Sequence, residues 1–524
     1  MILNDYGKKI FTGFILLVAF NYFFFCYCFK DEKNEQVLIV AKNAETTSLD
    51  PGDQWDTYSS QVLVNIYESL VKSKEGGTGI EPSLAESWSM SSDGMEWVFQ
   101  LRQGVRFHDG CILNAEAVVF SFERQMDINY PHRFGQFKAF HTLFNFLEKI
   151  EAIGPYEVKF VLSKPYAPFL ANLSQVQASI VSPEAVKKWR YDFAKHPVGS
   201  GAFQFQEWND DRIVLKANQS YWRGAPHLST VIYKCIPDKS LRMSQLKAKN
   251  VDIVYHAKAD DLIQFRRDTN FVIYEQPSVQ VSYIALNNRK PPFDNVIVRR
   301  AINYLVHKKP LVQLVYQETA IPAKGPLPPL IWGYNEQIED YPYDPVQAKA
   351  LLKIAGLERG FKVSIFISEG IPDNKEIALA LQGNLKEANI GLEIHILRWR
   401  DLLAKVNNAE HDMVLISWTG DNGDPDNYFY TLLDKDNAIP GGMNRAYYES
   451  EDMHRILLKA QRSFNQQERI LLYRDAQELF HKDIPWIPLS HRKEIFIVNK
   501  RVQGFQIEPN LFNSFNFYKI RVFQ

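Results

Sequence analysis

With 524 residues, 46% of them hydrophobic and 23% charged, the chain is long enough for two or more domains with substantial cores and is not disordered in composition. Its 60 Lys and Arg balance 61 Asp and Glu to a formal charge of −1, which argues against a phosphate backbone or an anionic surface as main partner and so against nucleic acid. The 25 Tyr, 35 Phe and 10 Trp suit the lining of a large cleft and a large core equally well.

Lys8 and Lys9 precede an apolar run from Ile10 to Cys28, broken only by Thr12 and Asn21, and the polar segment KDEKNEQ follows. Residues 1–28 therefore read as a signal peptide or an N-terminal membrane anchor, since the run is close to the length that spans a bilayer. Lipid attachment at Cys26 or Cys28 is a third option, opposed by Phe23, Phe24 and Phe25 where small residues belong. The remaining body is expected to lie outside the cytoplasmic membrane, periplasmic or extracytoplasmic, anchored only if residues 10–28 are retained. Cys111 and Cys235 are left for that body, and either one disulfide or two free, buried thiols would fit.

From Gln36 the text QVLIVAK predicts a strand, a polar turn follows, and Tyr58 to Val71 has helical apolar spacing. Trp97, Phe99 and Leu101 alternate with Val98, Gln100 and Arg102 after a Ser92-Asp93-Gly94 turn, predicting a hairpin strand. Asn114 is the predicted N-cap of a helix over Ala115 to Arg124. Residues 150–185 alternate strand and turn, with a helix entered through Pro168, and two or three strands follow from residue 197. A helix over Ser240 to Asn250, the strands VDIVYH and QVSYIALNN, a helix pair in NVIVRRAINYLVHKKPLVQLVY and a helix ending at Gly356 come next. FKVSIFIS and GLEIHILRW are strands flanking the helix EIALALQGNLKEANI. This strand-helix-strand grammar predicts an α/β fold. No Gly/Ser linker separates the halves, as expected of two domains joined by strands into a hinged clamp.

The stretch from His411 to Tyr430, HDMVLISWTGDNGDPDNYFY, is an apolar strand breaking into a loop rich in Asp, Asn and Gly. Three carboxylates at the mouth of a sheet would accept a cationic ligand group such as an amine. The other readings are an acidic surface turn and a calcium loop. The calcium reading fails on spacing, because counting from Asp421 puts Gly423 and Pro425 where ligands should be.

Five blocks carry a resemblance: LAESWSMSSDGMEWVFQLRQGVRFHDG, PVGSGAFQFQEWNDDRIVLKANQSYWRG, FDNVIVRRAINYLVHKKPLV, WGYNEQIEDYPYDPVQAKALLKIAGLERGF and WTGDNGDPDNYF. Together, and in this order, they resemble the extracytoplasmic solute-binding proteins of bacterial peptide-import ABC transporters, the dipeptide- and oligopeptide-binding group, with the last two blocks most similar to the dipeptide binder. The resemblance implies a two-lobed, periplasmic-binding-protein-like clamp. Lobe one would hold residues 36–282 and 491–524 with an extra subdomain over about 62–195, and lobe two residues 283–490. It implies a monomer that closes on a peptide and docks on membrane permease subunits. Asp421 would receive the peptide α-amino group, Trp418, Thr419 and Gly420 would supply wall and backbone contacts, and Glu45, Thr46, Thr47 and Ser48 would face them from lobe one. Those last four also fit a solvated turn with local hydroxyl caps. The dipeptide binder holds the ligand carboxylate with an Arg before the helix at 374–388, whereas ISEGIPDNKE has none. Either Lys375, Arg398, Arg400 or Arg445 takes that role, or the ligand is a longer or modified peptide, a haem or an antimicrobial peptide.

Catalytic patterns are lacking. Gly199-Ser200-Gly201 does not have nucleophile-elbow spacing, and no P-loop, HExxH or Rossmann glycine pattern occurs. The 12 His are scattered as core or surface residues, so no metal, cofactor or enzymatic activity is expected. An anchored extracytoplasmic receptor or chaperone using the same cleft is the alternative function.

Overall fold

The computed structural model describes residues 36–523 except 55, 138, 139, 141, 142 and 421. The apolar run over residues 10–28, with Cys26 and Cys28, and the predicted amine anchor Asp421 lie outside the described residues. Among the described residues no helix is long and apolar enough to cross a membrane.

The α/β reading holds, and one twisted sheet of 12 strands organises the molecule. In chain order its strands begin with β1 (Val37–Lys42). A smaller four-stranded antiparallel sheet follows, of β2 (Ala85–Met90), β3 (Glu96–Leu101), β4 (Leu147–Gly154) and β5 (Glu157–Leu162), in the order β2-β3-β5-β4. The large sheet resumes with β6 (Phe203–Trp208), β7 (Arg212–Ala217), β8 (Thr230–Cys235), β9 (Ile253–Tyr255), β10 (Phe271–Pro277), β11 (Gln280–Leu286) and β12 (Ala320–Pro322). It ends with β13 (Lys362–Ser368), β14 (Gly391–Leu397), β15 (Met413–Thr419) and β16 (Trp486–Asn499). The order is β14-β13-β15-β11-β16-β9-β1-β8-β7-β6, with β10 and β12 also pairing to β16.

β16 explains how two bodies share one sheet. Its first residues pair with β11, Trp486 opposite Ala285, while its last pair with β10 and β9, Val498 opposite both Val272 and Ile253. The chain crosses a second time between β10 and β11, where the Ser278 amide donates to the Arg492 carbonyl at 2.8 Å. Apolar side chains separate accordingly. One set of core residues runs from Leu38 to Ile66, 181–271 and 495–522, another from Leu70 to Ile180 on the small sheet, and a third from Val279 to Leu489.

Local rules account for much of this. β3 buries Trp97, Phe99 and Leu101 as its alternation predicts, and Phe160 meets Phe99, Phe122 and Phe169 edge-on at 5.1 to 5.6 Å. Asn114 accepts from the Ala117 amide at 3.1 Å and starts the helix α2 (Ala115–Met126). Two helix limits differ from expectation. The first helix, α1 (Thr57–Ile66), stops short of Val71 because the Gly201 amide donates to the Ile66 carbonyl at 2.9 Å. A Cβ on Gly199 or Gly201 would sit 2.1 to 2.4 Å from the Ile66 and Asn65 carbonyl oxygens, so the GSG turn exists for close backbone approach, with Ser200 donating to Glu68 at 2.8 Å. The helix over 376–390 instead begins at Pro372. Cys111 and Cys235 are free, half-buried thiols, so the disulfide option is not realised.

Candidate functional site at the crossing of the sheet

β15 carries buried Met413, Val414 and Leu415 into the core and emerges at exposed Ser417. Its end is pinned to β11: the Gly420 amide donates to the Val279 carbonyl at 3.2 Å, and Thr419 Oγ1 accepts from Gln280 Nε2 at 3.4 Å. Trp418 is half-buried, its Nε1 donating to Asn427 Oδ1 at 2.8 Å. Gly420 has no room for a side chain, since a Cβ would lie 2.3 Å from the ring of Tyr428, which is fully buried and donates to the Val279 carbonyl at 2.5 Å. Gly420→Ala is therefore expected to overpack this turn and cost about 1–3 kcal/mol in a urea melt. An unchanged midpoint would show that the Tyr428 ring can yield.

The expectation of three carboxylates at a sheet mouth needs correction. Asp424 and Asp426 are buried and engaged inside the protein, because the loop folds back on the helices behind it. Asp424 takes Arg469 from the helix α7 (Gln466–Asp483) in a two-pronged pair at 2.7 and 2.9 Å. Its Oδ1 also accepts the Asp426 amide at 2.9 Å, starting the helix α5 (Asp426–Leu433). Asp426 accepts from Tyr166 at 3.0 Å and from Gln461 of α6 (Glu451–Arg462) at 3.2 Å. Burial, then the charge of Asp424, pushes its carboxyl up to about 7.

The same loop is where the bodies touch. Asn422 donates to Asn172 at 2.8 Å, the Ala167 amide donates to the Gln461 carbonyl at 2.7 Å, and Gly423, at φ +71°, leaves only 2.9 Å between a notional Cβ and Thr78. The loop is thus held on both sides. Across the sheet, Glu45 is exposed, while the hydroxyls after it bond within their own body. Thr46 accepts from Lys42, Thr47 donates to Asp56 at 2.5 Å, and Ser48 accepts from the Asp50 amide at 3.1 Å. Local capping accounts for these contacts, and among the described residues no hydrogen bond joins 45–48 to Trp418–Gly420.

Of the cations considered for a ligand carboxylate, Arg445 is buried against Asn407 and Met443, Arg398 pairs with Asp401 at 2.8 Å, and Lys375 and Arg400 are exposed. Sequence reasoning missed Arg492 on β16, which donates to Asp373 at 2.5 Å beside Lys258. The charged run HRKE inside an otherwise apolar strand was its only signal. His454, Asp434 and Asp436 place ligand-type atoms within 4.8 Å of one another, and the His454 to Asp434 hydrogen bond at 2.9 Å accounts for that grouping.

Residues 79–439 match the model of the bacterial extracellular solute-binding proteins, family 5 Middle. The chain is 33% identical over 506 residues to di/tripeptide-binding protein 2 of Pseudomonas aeruginosa, covering 93% of this chain and 95% of that protein. It is 35% identical over 488 residues to heme-binding protein A of Haemophilus influenzae, covering 88% of each. Among solved structures, the ABC transporter-associated periplasmic binding protein DppA of Helicobacter pylori, in complex with the peptide STSA, superposes with a TM-score of 0.82 at 34% identity. That match covers 94% of this chain and all of the other.

Proposed function

The chain belongs to the bacterial extracellular solute-binding proteins of family 5, and on that premise we propose that it binds short peptides in the cleft between its lobes and delivers them to ABC transporter permease subunits. The observation that carries this reading is the likeness, over nearly the whole chain, to a relative solved with a peptide bound. Lobe one comprises residues 36–282 and 491–524, with a subdomain over about 62–195, and lobe two residues 283–490; the strand shared at β16 and the crossing at Pro277–Gln280 support a hinge there. The protein acts as a monomer outside the cytoplasmic membrane, exported by residues 1–28, and catalyses no reaction.

In this reading Asp421 takes the ligand's amino group, with Trp418, Thr419 and Gly420 as one wall and Glu45 to Ser48 as the other. What supports Asp421 is the engagement of the loop's two other carboxylates: Asp424 has Arg469, and Asp426 is a buried acid. Asp421→Ala should weaken peptides with a free amino terminus by about 2–5 kcal/mol, roughly 30-fold or more, and leave N-acetylated peptides unchanged. Equal calorimetric affinity of wild type and variant for free-amine peptides would remove Asp421 from the site. Native mass spectrometry of freshly purified protein, with a peptide panel and haem run in parallel, tests the wider reading: binding of haem alone would replace peptide as the ligand.

A further inference from the structure

Arg492 stands where the two lobes meet. It is on the crossing strand, 38% exposed, with its guanidinium 4.6 Å from the Tyr316 ring, and Asp373 engages one of its nitrogens, Nη2, at 2.5 Å. Asp373 lies in the first turn of α4 (Pro372–Lys386), on the lobe-two side. It accepts a second cation, Lys258 Nζ at 3.2 Å, from the residue that precedes α3 (Ala259–Phe265) on the lobe-one side. Lys258 is 57% exposed. Two cations, one from a lobe and one from the hinge, thus share one carboxylate at the sheet crossing.

The charge around them does not balance. Glu494, two residues along the same face of β16, is pushed by burial up to about 7, so it contributes less than a full negative charge. His256 faces Glu494 at 3.7 Å and is held down to about 4 by burial, then by the charges of Arg492 and Arg242, which leaves it neutral. Among the described residues Asp373 is the one acid paired with both Arg492 and Lys258, so a further carboxylate entering here would meet two cations that share a single counterion.

The position suits a ligand end. Just before β11, Val279 accepts from Gly420 on one side, while the neighbouring Ser278 donates to the Arg492 carbonyl on the other. The proposed wall and Arg492 therefore sit on strands two apart in one sheet, about 10 Å, the reach of about three extended residues. The segment ISEGIPDNKE, residues 367–376, contains Asp373 and no Arg.

We propose that Arg492, with Lys258 beside it, anchors the carboxylate end of the ligand, and that Asp373 keeps the two cations together as the lobes close. Arg492 would use the part of its fork that Asp373 and the Tyr316 hydroxyl leave open, which gives it a geometric as well as a charge preference for a carboxylate. This rests on the peptide reading above.

The test is calorimetric titration of the full chain with Ala-Ala-Ala as the free acid and as its C-terminal amide. Wild type is expected to prefer the acid by about 10-fold or more. Arg492→Gln should bring the two within about two-fold, and Lys258→Gln should narrow the gap less, since an exposed point charge contributes less than a fork. Lys258→Gln, at an exposed helix start, also serves if Arg492→Gln does not fold. An unchanged acid-to-amide ratio in both variants would overturn the assignment. Equal weakening of acid and amide would do so as well, marking the cluster as an interlobe clamp without ligand contact. Should wild type bind neither probe nor any panel peptide, the peptide reading falls and this anchor with it; binding of both probes with no acid preference removes the anchor alone.

Discussion

Asp424→Ala is expected to lower folding stability by about 3–5 kcal/mol, read as a shift of the urea midpoint at constant m. Arg469 and Asp424 are 6% and 5% exposed, and they bond through both guanidinium nitrogens. Among the described residues, removing the carboxylate leaves a buried cation that donates to the Tyr473 hydroxyl and the Ala460 carbonyl, both at 3.1 Å, and lies 4.9 Å from the Trp332 ring, with no anion in hydrogen-bond contact. The damage also spreads along the loop. Asp424 Oδ1 holds the Asp426 amide at 2.9 Å, so the turn over residues 422–426 loses part of its internal frame. Peptide affinity should therefore fall together with stability. The double variant Asp424→Leu with Arg469→Met separates the two effects, because an apolar pair of similar volume removes the stranded charge and should recover most of the stability while the loop stays loosened. A single variant that melts with wild type would mean that Arg469 finds another acid, and Asp426 is the nearest available.

How far such a site can be read without coordinates depends on the range of the interactions that make it. The Asn114 cap and the β3 alternation are settled within a few residues, and they are legible for that reason. The strand β15 and its break into a glycine-containing loop are legible too, since an aliphatic run followed by Gly420 and Gly423 has few other outcomes. The charge state of the loop is not. WTGDNGDPDNYF looks uniformly acidic, yet Arg469, Tyr166 and Gln461, which decide the fate of Asp424 and Asp426, arrive from distant segments. The end of α1 is illegible for the same reason: its last carbonyl is taken by Gly201 from a distant turn. Arg492 is the extreme case, because only the crossing of the lobes brings it and Lys258 to one acid. Residues that face a cleft between two bodies carry no periodic signature of doing so.

Asp426 provides the sharpest contrast with its neighbour, and its effect depends on pH. Its folded-state carboxyl is raised from 3.8 to about 7, chiefly by burial and then by Asp424. Between those values the folded protein keeps a proton that the unfolded chain has released, so stability falls as pH rises, by up to about 1.4 kcal/mol per unit. The contribution is fully present below about pH 4 and lost by about pH 7, opposite to a salt-bridged carboxylate. Asp426→Asn keeps an acceptor for Tyr166 and Gln461 and cannot ionise, so it removes this slope. Relative to wild type, the variant should gain about 2 kcal/mol between pH 5 and pH 7, measured as the difference in urea-derived stability at the two values. Glu494, raised by burial to about 7, contributes a slope of the same sign in both proteins and cancels in that difference. A stability difference that does not change with pH would mean that Asp426 is ionised in the folded protein throughout, with Arg469 shared between two carboxylates rather than committed to Asp424.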